Sequence, residues 1–150
     1  MARIVFDLPE RFTFATDLQV YISHVNQGGH LDNAQLLSLV SEARVRFFQA
    51  LGYREGQVDG AAIVVGDLLA QYKSEAFHGE TLRVRMQPMD FSRYGFDLVF
   101  CMNEISVGRE VARGKTGIVF IDARTRKVTP IPARAHRQLL QCAETGGEHA

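Results

Sequence analysis

A surplus of basic charge, a long apolar run, an internal repeat and more than two cysteines are all missing from this 150-residue sequence, and each absence removes a class of function. Lys+Arg and Asp+Glu both total 17. The chain therefore lacks the basic stripe that neutralises a phosphate backbone, and nucleic acid is not an expected partner. No stretch approaches the roughly 18 apolar residues of a membrane span. Met1 to Glu10 show no basic segment leading into an apolar core with a small-residue cleavage site, so the chain is expected to be soluble, free of membrane and cytoplasmic. Cys101 and Cys142 are too few and too isolated for a disulfide framework or a metal site, and are expected to be one strand-packed thiol and one thiol near the tail. His24 and His30 show no convincing ligand spacing with cysteine or carboxylate partners, so no metal is expected. The four prolines fall at turns or element ends rather than in a hinge cluster, which leaves residues 1–150 as one domain.

What is present suits a packed core. Apolar residues make up 46% of the chain and charged residues 23%, the balance of a soluble globular protein. A chain of this length removes about two thirds of its unfolded surface from water within a single core. From Phe12 to Ser23 the apolar residues Phe12, Phe14, Leu18, Val20 and Ile22 keep to even positions, the period of a half-buried strand. After the turn-forming stretch Asn26-Gln27-Gly28-Gly29, Asp32 is followed three residues later by Gln35. That is the pattern of a helix N-cap with a capping box, and it predicts a helix from Asn33. Leu36, Leu37, Leu39, Val40, Ala43, Phe47, Phe48 and Leu51 cover most of the circumference of this helix, so other structure must wrap it. Gly52 stands where a left-handed C-cap favours glycine.

Four strand-like segments follow, at Ala61 to Tyr72, Thr81 to Met89, Tyr94 to Ile105 and Glu110 to Asp122. Short connections make most neighbours antiparallel. A last helix is predicted from Pro132 to about Glu144, with Ala135, Leu139, Leu140 and Cys142 as a narrow apolar stripe. The sum is an α+β domain in which a curled, five-stranded antiparallel sheet wraps a long central helix.

Within this frame Gly29-His30-Leu31-Asp32-Asn33-Ala34, Glu42-Ala43-Arg44 and Phe47-Phe48-Gln49-Ala50-Leu51-Gly52 form one ordered series. Asp67-Leu68 with Tyr72, Phe77 to Leu82, Arg113 to Gly117 and Ile131-Pro132 extend it over roughly residues 15 to 133. The series resembles the thioesterase branch of the hotdog superfamily, the group that includes 4-hydroxybenzoyl-CoA thioesterase. The resemblance implies hydrolysis of an acyl-CoA, with coenzyme A as part of the substrate and no other cofactor. It also implies a homodimer with two sites between subunits, and leaves a dimer of dimers open. A non-catalytic acyl-thioester binding protein of the same fold is the alternative.

Thioester hydrolysis needs hydrogen-bond donors at the carbonyl oxygen and a carboxylate that attacks or activates water. The start of the central helix offers the first through the Asn33 amide with Gly29 or His30 nearby, and Gly28 and Gly29 permit a close approach. The plain structural reading of the same residues is a turn and a capped helix. Where the resemblance places a catalytic aspartate, three residues before the glycine of the Gly-His turn, this chain has Asn26, and two residues earlier it has His24. Asparagine is no base, although it can orient a water or the thioester. Glu42 on the helix is the natural substitute. It lies about 13.5 Å along the axis from Asn33 at 1.5 Å per residue, which calls for a partner helix or a bent acyl chain. An Arg46-paired surface glutamate is the other reading of Glu42. His24 and His30 flank the turn as candidate bases or orienting groups. Asp67 is a candidate pocket residue, and Arg93, Arg113 and Lys115 are candidates for the phosphates of coenzyme A.

Overall fold

The computed structural model describes residues 1–145; positions 146–150, assigned above to the same domain, lie outside the described residues. Strand β1 (Phe14–Gln19) leads through a 3-10 turn at Ile22–His24 to helix α1 (Asn33–Ala50). Then come β2 (Gln57–Val58), β3 (Ala61–Tyr72), β4 (Thr81–Met89), β5 (Gly95–Glu104), β6 (Glu110–Asp122) and helix α2 (Ala133–Thr145). The strands form one antiparallel sheet in the order β1-β4-β5-β6-β3-β2. Among the described residues the sheet thus has six strands, not five. The extra one is the two-residue β2, which pairs with Ala61 and Ala62 across a tight turn that puts both Asp59 and Gly60 at positive φ. An Asp-Gly pair favours such a turn, but a strand of two residues has no alternation for the sequence to display.

Helix α1 begins where the sequence placed it. The Asp32 carboxylate accepts from the amides of Ala34 (2.9 Å) and Gln35 (3.3 Å). The reciprocal half of the expected capping box is replaced, because the Asp32 N–H donates to the His24 carbonyl. At the other end Gly52, at φ 95°, donates to Gln49 O, and the Tyr53 amide donates to Phe48 O. These paired bonds satisfy the last carbonyls of the helix and need the left-handed residue that glycine adopts at little cost.

One face of α1, with Leu36, Leu39, Val40, Ala43, Phe47 and Phe48 buried, packs into the curled sheet. There it meets Leu82, Val84 and Met86 of β4, Phe96, Leu98, Phe100 and Met102 of β5, and Ile118 and Phe120 of β6. Alternate residues Val99 and Cys101 face the other way, where Phe12, Phe6 and Leu8 of the N-terminal segment cover them. The first strand is shorter than its alternation suggested. It ends at Gln19, and Ile22, left 69% exposed, belongs to the 3-10 turn that swings the chain toward the head of α1. Pro132 stands just ahead of α2, its carbonyl accepting the His136 amide, so that helix starts at Ala133. Leu140 is exposed, which narrows the apolar contacts of α2 to Ala135 and Leu139 with a half-buried Cys142.

Candidate active site

The Asn26–Leu31 turn is built around one side chain. Asn26 Oδ1 accepts from the amides of Gly28 (2.9 Å) and His30 (3.4 Å), while the backbone N–H of Asn26 donates to His30 O. Gly29 takes a positive φ of 82°, and Gly28 lies so close to the His30 ring that a Cβ there would stand 3.2 Å from Nε2. The turn is then docked on the segment after β3: the Leu31 amide donates to Ala76 O at 2.7 Å, and Ala76 is fully packed.

Between these segments and the first turn of α1 lies a cleft of about 380 Å³. Asn26, His30 and Asn33 line it together with Tyr72, Lys73 and Glu75. Of the first amides of α1, those of Ala34 and Gln35 bond the Asp32 carboxylate and that of Leu36 bonds the Asp32 carbonyl. The Asn33 N–H is outside this cap. Helix geometry gives it no partner within the helix, and Asn33 itself lines the cleft. The Tyr72 hydroxyl donates to the Asn33 carbonyl at 3.0 Å and ties the end of β3 to the start of α1. Burial, and then the negative charge of Asp32, push the Tyr72 phenol above its ordinary range, so the hydroxyl keeps its proton and remains a donor.

The other sequence candidates separate. His24 lies outside the cleft lining; its Nδ1 accepts from the Tyr21 amide at 3.0 Å and its ring stacks on Tyr21. Glu42 is exposed and bonded to Arg46 Nε at 3.2 Å, and Arg46 continues to Thr16 Oγ1 and Asp17 O of β1. Within one chain this is the paired surface glutamate, away from the cleft. Lys115 Nζ is bonded to Asp67 and Asp97 in a cluster on neighbouring strands β6, β3 and β5. Desolvation opposes the charge on Lys115, but its two carboxylates outweigh it and raise its pKa. Neither Lys115 nor Asp67 reaches the cleft beside Asn33. Arg93 lies between β4 and β5 over the Tyr94 ring, and Arg113 holds Glu110 and the Phe6 carbonyl. Sequence reasoning did not single out Lys73 or Glu75, which enter the site through a connection with no local motif, whereas Tyr72 stood among the residues of the resemblance. Among the described residues no three His, Cys, Asp or Glu side chains group as a metal site, and no helix is long and apolar enough to cross a membrane.

A second cleft, of about 300 Å³, opens between the C-terminal half of α1 and the start of β3. Val45, Phe48, Ile63 and Val65 supply apolar walls, and Arg44 lies at its edge. Arg44 bonds Ser41 Oγ, and burial lowers its pKa.

A long helix laid into a curled antiparallel sheet, with a ligand-sized cleft at its N-terminus, defines a hotdog-fold protein. The chain belongs to the thioesterase-like superfamily, whose sequence profile matches residues 20–139. No curated protein sequence matches it significantly. Solved structures share the fold at low identity. The hypothetical protein SAV2348 of Staphylococcus aureus, determined in complex with CoA, superposes with a TM-score of 0.83 at 14% identity, over 97% of this chain and 92% of that one. The 1,4-dihydroxy-2-naphthoyl-CoA thioesterase Slr0204 of Synechocystis gives 0.74 at 22% identity, over 91% and 98%. The probable thioesterase YbaW of Escherichia coli gives 0.71 at 22%, over 86% and 98%.

Proposed function

We propose that this protein hydrolyses an acyl-CoA thioester whose carbonyl oxygen sits at the Asn33 amide. The observation that carries this reading is that Asn33, the first helical residue, whose N–H the Asp32 cap leaves unengaged, lines a cleft together with Asn26 and His30. A helix N-terminus adds a partial positive charge, and a donor fixed before reaction stabilises developing oxyanion charge at no reorganisation cost. Membership of the thioesterase-like superfamily, and a fold shared with a protein determined in complex with CoA, support the choice of ligand.

The reading includes a second copy of the chain. Among the described residues, β2 and the Gly56 carbonyl before it cover β3 as far as Ile63, so the rest of β3 is an open edge on which Val65, Leu68 and Tyr72 are exposed. An unpaired edge of this length invites a symmetric partner. Antiparallel pairing of two β3 edges would set the apolar cleft of one copy beside the helix-end cleft of the other, giving the acyl group a wall of Phe48 and Val45. Sedimentation should therefore give twice the chain mass at micromolar concentration, and a single-chain mass would contradict the pairing. Glu42 would meet the carbonyl only across such a pair.

Steady-state release of free thiol from short, medium and aromatic acyl-CoAs tests the activity. Turnover of at least one of them is expected. Saturable binding by calorimetry with no thiol release would instead establish the second reading, a binding protein of the same fold. The specific feature behind that second reading is Asn26, which is neutral and already engaged by the turn amides.

A further inference from the structure

We propose that Glu75 is the carboxylate that activates the hydrolytic water, in the place that Asn26 leaves without an acid. This inference rests on the hydrolase reading and adds a catalytic residue to it. The hydrolase reading calls for a carboxylate at the carbonyl, and the acidic residues singled out from the sequence are either bonded elsewhere or away from the cleft. Asp32 Oδ2 caps two amides of α1, Glu42 is bonded to Arg46, and Asp67 is bonded to Lys115. Glu75 is the one carboxylate among the residues that line the cleft together with Asn33.

Its backbone is held from three directions, although its side chain reaches water. The preceding Ser74 donates from its amide to Val111 O and from its hydroxyl to Glu110 O. The Glu75 carbonyl accepts from Arg109 at 3.1 Å, and the next residue, Ala76, accepts the Leu31 amide. The turn that brings Asn33 to the cleft is therefore bonded directly to the segment that brings Glu75. The Glu75 carboxylate lies 3.7 Å from His30 Nε2 and is 62% exposed, while His30 Nδ1 lies 3.3 Å from the Leu31 carbonyl. The carboxylate oxygen Oε1 is the one nearest the imidazole, and the exposure of the side chain leaves the carboxylate open to solvent.

In the reaction Glu75 takes one proton from water as the water oxygen bonds to the thioester carbon, and the Asn33 N–H receives the oxyanion. Collapse of the tetrahedral species breaks the C–S bond. The proton on Glu75 passes to the departing sulfur, leaving a carboxylic acid and the thiol of CoA. Atoms and charge balance with water as the only co-reactant.

Thiol release by the wild type, Glu75→Gln and Glu75→Asp is compared, with calorimetric binding of a non-hydrolysable acyl-CoA thioether to each. Removal of a general base costs about 100-fold or more in kcat. Glu75→Gln is expected to show that loss with thioether affinity unchanged, and Glu75→Asp to recover part of the rate. Wild-type kcat in Glu75→Gln, or loss of turnover confined to Glu42→Gln, would overturn the role of Glu75 and leave the hydrolase reading standing. A wild type that binds the thioether and turns over no acyl-CoA would overturn both.

Discussion

Asn33→Pro is expected to lower kcat about 100- to 1,000-fold, the cost of removing one donor from an oxyanion site. Proline suits this experiment because the first helical position tolerates it: the N–H it deletes has no partner in the helix, and its fixed φ is already helical. The preceding residue must be extended, and Asp32 already has φ −66° and ψ 142°. The Asn33 carbonyl that holds the Tyr72 hydroxyl is retained, as are the amides that Asp32 caps. Asn33→Ala deletes the side chain and keeps the N–H, and should stay within about tenfold of the wild-type rate. A proline variant that folds and turns over like the alanine variant would remove the Asn33 amide from the mechanism.

The largest expected loss of stability comes from Phe47→Ala, at about 3 to 5 kcal/mol. Phe47 is 2% exposed and sits where α1 presses on the sheet, edge-to-face with Phe14 of β1 at 5.7 Å and with Phe48 at 5.3 Å. Truncation removes both ring contacts and leaves a cavity between a helix and strands that the sheet's hydrogen bonds hold apart. Domains are stable by only about 5 to 15 kcal/mol, so this single change should consume a large share of the margin. Urea unfolding followed by circular dichroism measures it. A loss under about 1 kcal/mol would mean that the surrounding core collapses into the space.

The frame of the molecule was legible because its signals are local. Asp32 and Gln35 marked the start of α1, Gly52 marked its end, and alternation or β-branched residues outlined the four long strands. Errors arose where a local period ran past its element, as at Ile22, or where a strand was too short to have a period, as at Gln57–Val58. The cleft was half legible. Asn26, His30 and Asn33 lie within eight residues, and the turn chemistry brings them together. Glu75 was not visible, because the bond from Leu31 to Ala76 that brings it there joins segments 45 residues apart with no pattern of their own. Asp67 and Lys115, expected at a pocket and at a phosphate site, lie on neighbouring strands that pair their charges, and Asp67 lines a cleft on the sheet with Gly66 and Asp97, apart from the one at Asn33.

The central claim, that the amide at the head of α1 polarises the thioester carbonyl, is tested most directly by carbon-13 NMR. The ligand is an acyl-CoA ketone analogue in which a methylene replaces the sulfur and the carbonyl carbon is labelled. Binding to the wild type should move the carbonyl resonance downfield of its position in water, and the shift should disappear in Asn33→Pro. An identical resonance in the two proteins would contradict the claim.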